Sequence, residues 1–340
     1  MMKKYIITII IIFVVLPLLL FFYANIKFND TIPISNDTNI VIPKNSSIEQ
    51  IVKIFNQNGA LKPSWLFTFL SKTYIKVFNK KFYAGTYRFS PKHTNLNILK
   101  AIFSGKQQYV VKITIPEGLT LKEIALLCSK KLGIDSLEFF ELAHSDSILK
   151  EYNIWNLNVE GYLMPETYEF FYMPPAIEVL KKMLDNQKKL WDKKFARTAD
   201  SIGMSKNDIL TLASIVEAET PIIEERRTVS GVYHNRLNQN WKLEADPTVQ
   251  YALGNRKARL TYKDLEINSP YNTYRVSGLP PGPINNPSLT SIEAALNPEI
   301  HYYLFFVAIG DGSGKHYFSK NYSEHLSNKS KYRRNLKSNY

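Results

Sequence analysis

Hydrophobic and polar positions follow one another along this chain with periods that change several times, and each change marks a part. The first part is an uninterrupted apolar run, YIITIIIIFVVLPLLLFFYA, at residues 5–24, preceded by Lys3 and Lys4. A run of that length without a charge is enough for a helix to cross a ~30 Å hydrocarbon core, and Pro17 is tolerable there. The pattern predicts one transmembrane helix. The run exceeds a secretory h-region and no A-x-A site follows it, which argues against a cleaved signal peptide. The two lysines predict that residues 1–4 are cytoplasmic and that everything after about residue 25 lies outside the cytoplasmic membrane. Residues 25–40 are polar and turn-rich and read as a stalk.

An internal repeat follows at an offset of 73 residues: VIPKNSSIEQIVKIF from Val41 and TIPEGLTLKEIALLC from Thr114. Pro43 matches Pro116, Ile48 matches Leu121 and Ile51 matches Ile124. Each copy predicts a short strand, a proline turn, a capped start at Ser46/Ser47 or Thr120, and an amphipathic helix. A second apolar-periodic stretch comes after each, PSWLFTFLSK and DSLEFFELA. Such a unit resembles a LysM-like carbohydrate-binding subdomain, with a generic α+β support domain as the alternative. FYAGTYRFSP, between the copies, predicts a strand whose aromatic side chains belong to a core. The repeat region spans residues 41–150, with copies near 41–72 and 114–145, and residues 151–340 form a second part.

Residues 155–175 read as a loop or extended linker, and a helix follows with Ile177, Leu180, Met183, Leu184, Gln187 and Leu190 at helical spacing. The most informative stretch is NDILTLASIVEAET, 207–220. Wound at 3.6 residues per turn, Ile209, Leu210, Leu212, Ala213, Ile215 and Val216 cover most of the circumference, which predicts a buried helix. Two carboxyls stand at its end. Glu217 falls between Leu210 and Ala213 on the wheel, and Glu219 between Leu212 and Ile215 on the other flank. Burial disfavours the charged form, so a carboxyl here can retain a proton and serve as a general acid. Pairing with Arg226, Arg227 or Arg236 is an equal alternative, and the wheel does not choose between the two glutamates.

A further amphipathic helix, EERRTVSGVYHNRLNQN, carries Val229, Val232, Tyr233 and Leu237 on one face, with Asn235 beside it, and Asp246-Pro247 marks another helix start. The run SPYNTYRVSGLPPGPINNPSLTSIEAALNP is dense in Pro, Gly and Asn, the kind of long irregular segment that often lines a binding site. Tyr271, Asn272 and Tyr274 suit sugar recognition, by ring stacking and amide hydrogen bonds, with loop packing the favoured alternative for any one of them. YYLFFVA, GDGSG and KHYFS predict a hairpin, and a basic helix begins near Ser323.

Composition narrows the classes. Hydrophobic residues are 45% and charged residues 21% of 340, which excludes a mainly disordered chain. The single cysteine, Cys128, excludes an intramolecular disulfide. Six histidines show no H-E-x-x-H spacing, which disfavours a metal-dependent amidase or peptidase. The net charge of +13 favours a polyanion, a membrane surface or an acidic wall polymer. The basic residues are spread out without aromatic interleaving, and nucleic acid is not the expected partner.

LASIVEAET, VYHNRL, EADPTVQYALG, the Pro/Gly/Asn-rich run, YYLFFVA with GKHYFS, and EGYLMPETYEF at 160–170 together closely resemble the endolytic murein transglycosylases, the MltG/YceG-like family. The resemblance covers essentially the whole chain. It implies an α+β fold: an N-terminal transmembrane helix, LysM-like α+β subdomains and a C-terminal mixed α+β catalytic domain. It implies cleavage, without water, of the MurNAc-β-1,4-GlcNAc bond of nascent peptidoglycan strands, leaving 1,6-anhydro-MurNAc ends and terminating strand elongation. It selects Glu217 as the catalytic residue and puts Glu219, Asn235, Asp246, Tyr271, Asn272 and Tyr274 at supporting or substrate-binding positions. No metal or cofactor is implied. The expected partners are glycan strands, the bilayer and penicillin-binding cell-wall synthases, and the expected location is the cytoplasmic (inner) membrane. A non-catalytic, membrane-tethered peptidoglycan-binding protein and a hydrolytic muramidase are the competing readings.

Overall fold

A computed structural model describes residues 15–31, 34, 36–43, 45–61, 64–105 and 108–338. Residues 5–14 of the apolar run lie outside these. Its remainder falls in helix α1, Leu16–Asn29, where Leu18, Leu19, Tyr23 and Ile26 are exposed. Among the described residues no helix is long and apolar enough to cross a membrane.

The chain forms two compact units, one of residues 1–112 and 169–174, the other of residues 113–168 and 175–340. In the first, β1 (Thr38–Ile42) is followed by α2 (Ile48–Gln57), α3 (Ser64–Phe78), β2 (Gly85–Phe89) and α4 (Asn95–Ser104). β1 and β2 pair antiparallel, with Thr38 opposite Phe89 and Ile42 opposite Gly85. Strand alternation turns Ile40 and Ile42 inward, where they meet Phe55, Phe67, Tyr87 and Phe89 in one core.

The repeat is visible atom by atom. β3 (Val110–Thr114) leads into α5 (Leu121–Leu132) as β1 leads into α2. Ser47 caps α2 in a capping box with Gln50, and Thr120, 73 residues on, caps α5 in one with Glu123. Ile48, Ile51, Val52 and Phe55 are buried on α2, and their counterparts Leu121, Ile124, Ala125 and Cys128 are buried on α5. Asn45 (φ 61) and Gly118 (φ 71) make the same left-handed turn before each helix. Burial pushes the Cys128 thiol up to about 12. The two copies fall in different compact units, the first in residues 1–112 and the second in residues 113–168.

The second unit continues with α6 (Ser136–Ala143) and α7 (Asp146–Glu151); β4 (Thr167–Phe171) pairs with β3, the division between the units falling within both strands; α8 (Ala176–Leu190), a π-helical turn Trp191–Phe195 and α9 (Ala196–Ser201) follow in the second unit. Residues 167–171, read from sequence as loop or linker, are thus a strand. Then come α10 (Lys206–Glu219), α11 (Arg226–Asn238), α12 (Asp246–Leu253), α13 (Leu289–Leu296), the antiparallel hairpin β5 (Phe305–Ala308) and β6 (His316–Ser319), and α14 (Tyr322–Ser338). α10 is the centre. Every residue from Ile209 to Val216 is buried, and α11, α12 and α13 pack around it. Ser205 and Asp208 form the capping box that starts it. Thr220 is extended (φ −139), as suits a residue before Pro221, and ends it.

The segment 282–288 is irregular yet wholly buried, so its backbone groups must find partners inside the protein. Ser214, a polar position in mid-α10, supplies two of them. Its Oγ accepts from Ile284 N (3.0 Å) and its carbonyl accepts from Asn285 Nδ2 (2.8 Å). Gly161 (φ +82) lies so close to this segment that a Cβ there would sit 2.3 Å from Pro283. Gly161→Ala should therefore cost about 2–4 kcal/mol, from the left-handed backbone and the overlap together. Gly203→Ala, also at positive φ (+70) but with open space around it, should cost only about 1–2 kcal/mol. Denaturant-unfolding midpoints of the two variants measure the difference.

Candidate active site

A cavity of about 1090 Å³ opens in the second unit, bounded by the turn before α5, the 158–160 loop, the ends of α10 and α12, and the 284–285 segment. Glu217 lies on it. The helix end delivers this side chain into a nest of donors. Arg226, at the start of α11, donates from Nη2 to Oε1 (2.8 Å) and from Nη1 to Oε2 (3.2 Å). Ser288 N donates to Oε2 (2.9 Å), and Ser288 Oγ, which also accepts from Arg226 Nη1, donates to the same oxygen. Both partners of the ion pair are nearly enclosed, with side-chain exposures of 6% and 8%. The alternative left open by the sequence, an arginine pair at the end of the buried helix, is the arrangement found. Arg226 makes it. Arg227 donates instead to Asn297 O, and Arg236 to Leu243 O and Leu304 O.

Burial raises the carboxyls of Glu219 and Glu160. Glu219 sits two residues on, and is not among the cavity-lining residues. Enclosure pushes it up to about 7, against the opposing pull of the Tyr233 hydroxyl, which donates to it at 2.7 Å. Glu160 does line the cavity. Burial pushes it up to about 8 although Leu121 N donates to both of its oxygens (2.9 and 3.0 Å) and Asn286 Nδ2 donates to one (2.8 Å). Asn286 also accepts from Leu163 N through Oδ1 and donates to Leu119 O. Glu160 and Asn286 thus tie the turn before α5, the 158–163 loop and the 282–288 segment into one wall.

The other sequence-selected residues divide. Asp246 accepts from the Tyr274 hydroxyl (2.6 Å), and this pair stands beside the cavity-lining Pro247. The Tyr271 ring packs on Tyr251, a cavity residue, at 4.9 Å between centroids. Asn272 is fully buried and donates to Leu265 O and Ile267 O while accepting from Tyr274 N. Asn235 donates to His301 O and Tyr303 O. Both amides brace loops, for Asn272 the packing role that the sequence left open, and neither lies on the cavity. Ser288, Glu160, Glu117 and Asn285 were not singled out from sequence. Glu160 carried a faint signal as the lone charge in NVEGYLM, and Ser288 as the cap before a helix, where its Oγ accepts from Ser291 N.

Architecture and site together define a member of the YceG-like family, whose model matches residues 40–331, and the chain belongs to that family. The endolytic murein transglycosylase of Bacillus subtilis is 34% identical over 321 residues, covering 88% of this chain and 87% of that protein. The endolytic murein transglycosylase of Streptococcus pneumoniae is 28% identical, covering 84% of this chain and 56% of its own length. A crystal structure of a yceG-like protein from Listeria monocytogenes superposes with a TM-score of 0.60 at 34% identity, over 86% of this chain and 99% of that one.

The raised carboxyls have a consequence for stability. In the unfolded chain a glutamate loses its proton near pH ~4.3, while folded Glu160 holds it to about 8. Between those values the folded state binds more protons, so the contribution of Glu160 falls as pH rises, by at most about 1.4 kcal/mol per pH unit. The wild type should lose stability relative to Glu160→Gln as pH is raised from 5 to 8, approximately the window between those two pKa values. Urea midpoints of both proteins across that range test it.

Proposed function

We propose that this protein is an endolytic peptidoglycan transglycosylase in which Glu217 is the acid and then the base. The observation that carries the reading is the position of Glu217: it ends a buried helix, opens on a large cavity and is oriented by Arg226 and Ser288. The names of the relatives supply the substrate class. The cavity matches or exceeds the ~300–1,000 Å³ usual for small-ligand sites, as an extended segment of glycan strand requires.

In the cleavage, protonated Glu217 gives its proton to the glycosidic oxygen as the bond to the muramyl C1 breaks. The GlcNAc end leaves with a free hydroxyl, and positive charge develops at C1. Arg226 and the Ser288 N–H stabilise the carboxylate that exists between the two proton transfers. That carboxylate takes the proton of the muramyl 6-hydroxyl as its oxygen closes on C1. The product is a 1,6-anhydro ring, and Glu217 is protonated again. The nucleophile belongs to the substrate, so no second carboxylate at hydrolase spacing is needed. The apolar run at 5–24 serves as a single-pass anchor in the cytoplasmic membrane, N-terminus inside, and holds the catalytic unit over nascent strands outside. Cutting there ends strand elongation, and the cell-wall synthases that extend the strands are the natural neighbours. The LysM-like β-turn-helix copies are glycan-binding candidates within the same reading.

Glu217→Gln leaves Arg226 without its counter-charge and should lower stability; under conditions where circular dichroism shows it folded, it should lower cleavage of purified peptidoglycan by at least ~10²-fold, the usual worth of general acid–base catalysis. Product masses read the rest. Ends lighter by one water than a hydrolysed terminus support the transglycosylase, hydrated ends identify a muramidase, and undiminished cleavage by Glu217→Gln removes this residue from the chemistry.

A further inference from the structure

The cavity wall at residues 158–160 continues outward into a loop that bares two large apolar side chains. Trp155 is 94% exposed and Leu157 is 82% exposed. Side by side, they exceed the scattered single exposures that every surface shows. The loop is nevertheless well tied. Exposure alternates along it: Ile154 is buried, Trp155 exposed, Asn156 half-buried, Leu157 exposed, Asn158 half-buried and Val159 buried. Ile154 N donates to Leu149 O (2.8 Å) at one end, and Val159 N donates to Ala143 O (3.1 Å) at the other. Between them Asn156 Nδ2 donates to Asn207 Oδ1 (2.7 Å), and Asn158 Oδ1 accepts from Glu160 N (2.8 Å). The inward residues anchor the loop and the outward ones are left to solvent. A ligand that meets Trp155 finds the backbone already ordered, which removes part of the cost of binding.

What covers the ring follows from where the loop leads. Asn158 and Glu160 line the cavity that holds Glu217. Trp155 is three residues from Asn158, so their Cα atoms lie within about 11 Å of each other. A second route joins loop and cavity. Asn156 and the Tyr271 hydroxyl both flank Gly282, and the Tyr271 ring packs on cavity-lining Tyr251. A polymer leaving the cavity on this side therefore meets the indole within its next few units. The stretch 152–159, YNIWNLNV, carries no charge. Docking on an anionic bilayer is favoured by lysines and arginines, and this loop has none. A flat indole with its N–H donor, set beside neutral amides, instead matches a pyranose, which has an apolar C–H face and a rim of hydroxyl and acetamido groups.

We propose that Trp155, with Leu157 beside it, is a platform on which a sugar ring of the glycan strand stacks, a binding position outside the cavity that holds the polymer in register with Glu217. The inference rests on the cavity being the place where a strand is cut, and adds a contact with sugars away from the scissile bond. Such a contact is made equally before and during bond breaking, so it acts on KM and leaves kcat alone.

The test is the split between KM and kcat for the full chain in detergent, on long, soluble, uncrosslinked glycan strands. Trp155→Ala should raise KM about tenfold, the order that covering one aromatic face is worth, and leave kcat within about twofold. Trp155→Phe keeps a ring and should stay within about threefold of wild type, and Leu157→Ala should raise KM less than Trp155→Ala does. Thermal unfolding midpoints of the three variants should match the wild type, since the side chains removed are almost wholly in solvent. An unchanged KM in Trp155→Ala, or a loss carried by kcat, overturns the proposal. So does a defect absent in detergent and present only in vesicles of phosphatidylglycerol and phosphatidylethanolamine, which gives the ring to the bilayer. A defect that varies with protein concentration gives it to a second copy of the chain and overturns the proposal as well. If the wild type does not cut the strands, the reading of the cavity falls and the platform with it; if it cuts them and Trp155→Ala has the wild-type KM, only the platform falls.

Discussion

A charge at the end of a helix buried on all sides must be met by donors, and the catalytic unit is arranged around meeting it. α10 can be apolar around its circumference only because α11, α12 and α13 enclose it. Enclosure leaves the Glu217 carboxyl, in its last turn, with 8% of its side chain exposed. Breaking such a pair by removing one partner leaves an uncompensated charge and is strongly destabilising. Arg226 and Ser288 must both reach Glu217, one from the next helix in the chain and one from a segment 71 residues away. The segment before Ser288 is consequently buried too: Ser214 meets Ile284 N and Asn285 Nδ2, and Asn286 reaches out of the segment to Leu119 O and Glu160. The polar stripe of α10 and the asparagines of the 282–288 run are thus two halves of one requirement.

What could be read from sequence and what could not divides by the range of the interaction. The capping boxes, the 73-residue repeat, the buried helix and the closing hairpin are local patterns, and the structure has them at or near the expected residues. Helical period also showed that two carboxyls end up inside. It could not show which one opens on a cavity, since that depends on what packs against each flank, and the family resemblance selected Glu217. Nor could it distinguish an asparagine that bonds a sugar from one that braces a loop. Asn272 and Asn235 use their amides on backbone carbonyls, and the same donors at the same spacing would serve either purpose. Glu160 was missed for a related reason. Its partners, Leu121 N and Asn286, lie 39 and 126 residues away.

Carboxyl environments in this unit are diverse, and the diversity follows from what surrounds each. Glu219 and Glu160 are buried against few opposing cations and are pushed up to about 7 and about 8. Glu217 is met by a guanidinium, a hydroxyl and an amide N–H. Glu117 is open on one side to solvent. Chemically identical groups within one unit thus meet quite different partners.

The interlock of Gly161 with Pro283 bears on how the groove is held together. Two loops in such close contact, further stitched by Asn286 to the Glu160 carboxyl, form one side of the cavity. The facing side, around Arg256, is exposed and held to the turn at Gly118 and Glu123 by long side-chain bonds. The two sides are thus held by unlike means, one by backbone in close contact and buried hydrogen bonds, the other by the side chain of one exposed arginine.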